Sequence, residues 1–223
     1  MAQSIQEQIV DIMVDTNIML EGALNMPSDA RGLVLFAHGS GSSRHSPRNQ
    51  FVASHLNEAG LATLLFDLLT DEEGEVDQQA RSLRFDIGLL AERVMGAVDW
   101  AVRQGQTRAL NFGLFGSSTG AAAAIVAAAN RPSLVSAVVS RGGRADMAEN
   151  ALSAVQAPTL LIVGGRDETV IDLNEQALAK INAKKSLEIV PGASHLFEEP
   201  GKLEQVADLA RGWFAEHLTR ANI

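Results

Sequence analysis

Apolar and polar positions alternate along this chain on two scales. Short runs that are apolar at nearly every position, such as "GLVLF" (32–36), "ATLLF" (62–66) and "TLLIV" (159–163), are separated by longer amphipathic segments. Runs of this kind match strands buried on both faces, and the helices between them are the crossovers that a parallel sheet requires. The N-terminus differs: "IVDIMV" (Ile9 to Val14) and "IMLEGAL" (Ile18 to Leu24), joined by Asp15, Thr16 and Asn17, predict a β-hairpin. Six further strands are predicted within "GLVLFAHG", "ATLLFDLL", "ALNFGLFG", "VSAVVSRGG", "APTLLIVGG" and "KSLEIVPG". Helices are predicted around 50–59, 85–103 and 202–218. The last of these places Leu203, Val206, Ala207, Leu209, Ala210, Trp213 and Phe214 at a period of about 3.6. The acidic stretch "TDEEGEVD" (70–77) reads as a solvated loop. No Pro/Gly/Ser-rich linker interrupts the alternation, so one α/β domain over 1–223 is expected. It should hold an eight-stranded, mostly parallel sheet with the second strand antiparallel and helices on both faces. Only "RGGRADMAENALSAVQ" separates the sixth strand from the seventh, which leaves no room for a large cap there.

In such sheets ligands bind outside the carboxyl ends of the strands. Those ends read "HGSGSSRHS", "DLLTDEE", "GSSTG", "SRGGR", "GGRDE" and "PGASH", and three of them carry a serine, an aspartate and a histidine in that order. Gly116-Ser117-Ser118-Thr119-Gly120 fits G-x-S-x-G, the sharp strand-to-helix turn that presents a nucleophile at its centre, here Ser118. The pattern alone is weak, arising by chance in about one chain in ten or fifteen of this length. A plain Gly/Ser turn into a closely packed helix over Thr119–Asn130 explains the alanines that follow equally well. Its position where strand meets helix favours the nucleophile. A serine hydroxyl needs a base, and the base needs a carboxylate to fix its tautomer and stabilise the imidazolium. His195 and Asp167 stand at the right strand ends for those roles. Asp167 could instead cap a helix, and Glu168 is an adjacent rival. Two amides would stabilise the oxyanion: that of Thr119, after the nucleophile, and that of Ser40, after His38-Gly39.

Other candidates are less specific. His55 and His217 fall on helices as surface groups, and His38 is expected to brace its loop. His45 could line the pocket. Arg141 and Arg144, and also Arg44, are placed at its rim, either to bind a substrate carboxylate or to pair with the many acidic residues. No histidine pair has zinc-site spacing. The third glycine of a dinucleotide fingerprint would fall at Arg44, and "GLFGSSTG" lacks the lysine of a phosphate loop. No metal or cofactor is called for.

Composition narrows the partners. Hydrophobic residues make up 46% of the chain, ample for a core, and the net charge of −9 opposes binding to a polyanion such as nucleic acid. With no cysteine, a thiol nucleophile and disulfides are excluded. "MAQSIQEQIVDIMVD" has no secretory pattern, and the longest aliphatic run, Ala121 to Ala129, is too short for a membrane span. A cytoplasmic protein acting on a small molecule is expected.

Over nearly its whole length the chain resembles the α/β-hydrolases. Through "HGSGSSRHSPRN", "GSSTGAAAA", "SRGGR" and "LLIVGGRDE…PGASHLFEEPG" it is similar to their dienelactone-hydrolase-like group. Some bacterial members of the branch it resembles are attached to phosphoribosyltransferase domains, for which a chain of this length leaves no room. Dienelactone hydrolases proper use cysteine where Ser118 stands, so the resemblance implies a serine hydrolase of carboxylic esters or lactones. Phosphotriesters are a promiscuous possibility. A thioesterase or acyltransferase would use the same residues, and a non-catalytic binding protein on this scaffold is the alternative from another class.

Overall fold

A computed structural model describes residues 7–218. The predicted hairpin is present as β1 (Glu7–Asp15) and β2 (Ile18–Asn25), turning through Thr16 and Asn17. Then follow β3 (Gly32–Ala37), α1 (Pro47–Glu58), β4 (Ala62–Phe66), α2 (Asp71–Ala80), α3 (Ile87–Arg103) and β5 (Asn111–Ser117). The chain continues through α4 (Thr119–Asn130), β6 (Val135–Arg141), α5 (Ala151–Ala154) and β7 (Thr159–Gly164). It closes with α6 (Glu168–Lys180), β8 (Lys185–Val190) and α7 (Lys202–Leu218).

The eight strands form one sheet in the order β1-β2-β4-β3-β5-β6-β7-β8. Only β2 runs antiparallel to both its neighbours, while all pairs from β4 to β8 are parallel. Every residue of β3, β4 and β7 is buried, which is why their sequences are apolar at all but Thr63 and Thr159 instead of alternating. On one face Leu33, Leu35 and Leu114 pack with α3 and α4; on the other Val34, Phe36 and Phe115 pack with α1 and α7.

The structure corrects one expectation. "TDEEGEVD" is not a solvated loop but the start of α2. The Thr70 hydroxyl accepts from the Glu73 amide at 3.2 Å while the Glu73 carboxylate accepts from the Thr70 amide at 2.9 Å. This reciprocal capping box satisfies two orphan amides and starts the helix despite its acidity. Three carboxylates in the first turn also sit at the favourable end of the helix dipole. Glu73 is further held by Arg93 of α3 at 2.6 Å.

Alanines explain why α4 lies so close to the sheet. Eight of its residues from Gly120 to Ala128 are buried with almost no side-chain bulk between helix and strands. A Cβ at Gly120 would press into the carbonyl oxygens of Ala37 and His38 at the end of β3. Gly120→Ala is therefore expected to destabilise the fold by about 2 kcal/mol or more, since backbone cannot rotate away as a side chain can. Thermal unfolding of the variant checks this; an unchanged Tm would mean that α4 can slide off β3.

Candidate active site

At the β5–α4 junction the chain turns through Ser118 with φ 50° and ψ −121°, a conformation that costs a residue bearing a Cβ about 1–3 kcal/mol. The surroundings hold it there. The Ser118 amide donates to the Arg141 carbonyl at 3.3 Å, and the Ser118 carbonyl accepts from Ala121 and Arg144 at 3.1 and 3.0 Å. A Cβ at Gly116 would collide with the backbone of Gly120 and Ala121, so both glycines of the motif are required by close approach.

The β7 and β8 ends bring the other two groups together. His195 Nδ1 lies 2.6 Å from Asp167 Oδ2. Asp167 stands at the N-cap of α6, yet its side chain makes no capping bond, so the carboxylate is committed to the imidazole. Glu168, the rival acid, is exposed. The loop carrying His195 is fixed from below: the Ser194 amide donates to both carboxylate oxygens of Glu199 at 3.0 Å. That amide, foremost among its donors, holds the Glu199 carboxyl below the usual carboxylate range. Gly142, at φ +52°, completes the convergence. A Cβ there would lie 3.0 Å from the His195 carbonyl oxygen and 3.5 Å from its ring.

Ser40 approaches from the β3–α1 loop. The position a Cβ would take at Gly39 is 3.1 Å from the Ser118 Cβ, so this loop lies directly against the serine. The Ser40 amide has no protein partner among the described residues. Thr119 opens α4, where backbone amides have no intrahelical acceptor. Both residues line a cleft of about 660 Å³, within the size range of small-molecule sites. His38 braces the loop as expected: Leu68 donates its amide to His38 Nε2 at 3.1 Å, and burial lowers the imidazole pKa.

None of the four residues expected in the pocket or at its rim is among those that line the cleft. Arg44 is not free at the rim. Its guanidinium is bound by Asp67 and Glu21, and its amide donates to Asp67 at 2.8 Å. His45 lines a separate groove with Gln50, Ser54 and Asn57 instead of the cleft. Arg141 is buried, only 6% exposed, whereas Arg144 is a half-buried partner of Asp146.

The cleft wall was not foreseen. It comes from α2 and the turn after it, where Asp77 receives the Arg84 guanidinium at 2.5 Å and the Leu83 amide at 2.8 Å. Burial alone would raise the Asp77 pKa, but the bonds from Arg84 outweigh it and hold the carboxyl below its usual range. The Thr70-x-x-Glu73 pattern was the signal that could have found this wall. Among the described residues no group of acidic and imidazole side chains could hold a metal ion, and no helix is long and apolar enough to cross a membrane.

Known proteins agree with this architecture. Residues 20–216 match the model of the dienelactone hydrolase family. The crystal structure of a dienelactone hydrolase from Anabaena variabilis is 58% identical, with a TM-score of 0.95, over 97% of this chain and all of that one. A Mycobacterium tuberculosis protein named as a phosphoribosyl transferase is 57% identical over 90% of this chain, which spans only 44% of that protein's length. Est1E from Butyrivibrio proteoclasticus, solved with ferulic acid bound, shares the fold at 18% identity, with a TM-score of 0.79 over 93% of this chain and 98% of that one. With a family match across most of its length and a sheet of the same architecture, the chain belongs to the dienelactone hydrolase family of α/β-hydrolases, enzymes acting on ester bonds.

Proposed function

We propose that the protein is a serine hydrolase that cleaves a small carboxylic ester or lactone through an acyl-enzyme on Ser118. The 2.6 Å bond between His195 and Asp167 carries this reading. With Nδ1–H donating to the carboxylate, Nε2 is left as the acceptor for the serine proton. The Ser118 oxygen attacks the substrate carbonyl carbon as its proton passes to His195. The negative charge that develops on the carbonyl oxygen is met by the amides of Ser40 and Thr119. Collapse of the adduct breaks the bond to the leaving oxygen, which takes the proton back from His195. Water, activated by the same imidazole, then releases the acid and frees Ser118.

A serine nucleophile gives the imidazole more to do than a cysteine would, because a hydroxyl ionises far less readily than a thiol. The experiment is active-site labelling. A fluorophosphonate is expected to modify the native protein once, with the label on the peptide containing Ser118, and to block hydrolysis of p-nitrophenyl acetate in step. Full hydrolysis by protein labelled at Ser118 would overturn the assignment. Adding an alcohol during turnover separates hydrolysis from acyl transfer by the share of product that becomes a new ester.

A further inference from the structure

The cleft carries charges that the fold leaves unbalanced. Four carboxylates line it, those of Asp67, Asp71, Glu75 and Asp77, against the guanidinium of Arg84. Two of the four are neutralised. Arg44, which is not part of the lining, holds Asp67, and Asp77 is paired with Arg84. Burial lowers the pKa of the lining imidazole, His38, so it adds no positive charge at neutral pH.

Asp71 and Glu75 remain. Both are exposed, and neither has an ion-pair partner among the described residues. They stand four residues apart on α2, so both carboxylates lie on the helix face that borders the cleft. Like charges at this spacing repel and weaken a helix. Glu75 also lies beyond the first turn, where the dipole no longer favours an acid. Beside it, Gly74 leaves room for a ligand: no atom lies within 4 Å of the position its Cβ would take.

Thr119 is a second, independent sign of a ligand. It is only 3% exposed and lines the same cleft, yet its hydroxyl is buried with no hydrogen-bond partner. An orphaned buried hydroxyl is costly unless a bound molecule supplies its partner. The amide of the same residue is the proposed oxyanion donor, so the ester group belongs here and the rest of the substrate extends toward α2. A cleft lined by charges of one sign concentrates the opposite charge and repels its own. Arg44, Arg141 and Arg144, the arginines expected to receive a carboxylate, are all absent from the lining.

We propose that this cleft takes an ester carrying an ammonium group, held by Asp71 and Glu75, and disfavours an anionic ester. The substrate half of this statement rests on Ser118 as the nucleophile; cation binding by the two carboxylates does not.

The test uses three acetate esters followed in a pH-stat at low ionic strength: acetylcholine, its neutral isostere 3,3-dimethylbutyl acetate, and the anion 3-acetoxypropanoate. For the native protein kcat/KM should be about tenfold higher for acetylcholine than for the neutral ester, mainly through KM, and lowest for the anion. Asp71→Asn and Glu75→Gln should each lower the cation-to-neutral ratio about threefold, and the double variant should bring it near one. Added salt should compress the ratio as well, because exposed carboxylates are readily screened. Glu175→Gln, removing an exposed carboxylate of α6 outside the cleft, should leave the ratio unchanged. That control separates the two local charges from the net charge of −9. If the double variant does not fold, the single variants are read in the same way. Calorimetry with choline and 3,3-dimethylbutan-1-ol reads binding without turnover. Choline should bind the native protein more tightly than the alcohol does, and the double variant should lose the difference. Folded variants that keep the native ratio, or choline binding no tighter than the alcohol, overturn the proposal. Fluorophosphonate labelling of Ser118 with a cation-to-neutral ratio of one defeats the cation preference alone, whereas carboxylate-dependent choline binding without labelling defeats the nucleophile alone.

Discussion

Ser118→Ala is expected to lower ester hydrolysis by about 10⁴-fold or more, because nucleophile and base act as a unit and neither works without the other. What remains is attack by water on an ester whose carbonyl still meets the amides of Ser40 and Thr119, so a small residual rate above the uncatalysed one should survive. The fold should be little affected. The Ser118 side chain makes no capping bond, and alanine carries the same Cβ into the same strained conformation. Ser118→Gly sharpens the result. It removes the hydroxyl and also relieves the positive-φ strain, so it should be as inactive as Ser118→Ala yet melt higher, by an amount reflecting about 1–3 kcal/mol. Initial rates with p-nitrophenyl acetate and calorimetric melting measure both. Activity within tenfold of native in Ser118→Ala would place the nucleophile elsewhere.

Much of this arrangement could be read from the residues. The inner strands β3, β4 and β7 were legible because burial on both faces leaves them almost no polar position. The boundaries of α4 were legible because Ser118 and Gly120 mark its start and the alanines continue to Asn130. The Ser-Asp-His order at the ends of β5, β7 and β8 put the three groups on one edge of the sheet, and the structure brings His195 and Asp167 into contact there.

What escaped depends on partners distant in the chain. Arg44 lies four residues from Ser40, which suggested the rim, but Asp67 at the end of β4 and Glu21 on β2 capture its guanidinium. Nothing local to "SSRHS" indicates partners 23 residues away on either side. The acidity of 71–77 suggested a solvated loop, yet Glu73 is taken up by the capping box and Arg93, and Asp77 by Arg84, while Asp71, Glu72 and Glu75 stay exposed on the helix. The wall of the cleft consequently follows β4, while the segment after β6 holds no large cap, as expected, but a short turn and the four-residue α5.

Asp167→Asn should cut turnover by about 10⁴-fold while leaving the protein folded. The Asp167 side chain makes no capping bond that could be lost, so α6 keeps its start. The chemistry does not survive as well. An amide facing His195 can donate a proton to Nδ1, which moves the ring hydrogen to Nε2 and leaves that nitrogen unable to accept the serine proton. The loss should therefore appear in kcat, with KM close to native. Glu168→Gln is the control that gives the result its meaning. Glu168 is exposed in the first turn of α6, so the change should cost only the few tenths of a kcal/mol that a carboxylate contributes at a helix N-terminus, with activity within about twofold of native. Both variants are measured by steady-state kinetics after circular dichroism has established that they fold. A damaging Glu168→Gln beside a silent Asp167→Asn would move the orienting carboxylate by one residue. Indifference to both would shift attention to Asp67, whose removal would also release Arg44 and so identify itself by a loss of stability as well as of rate.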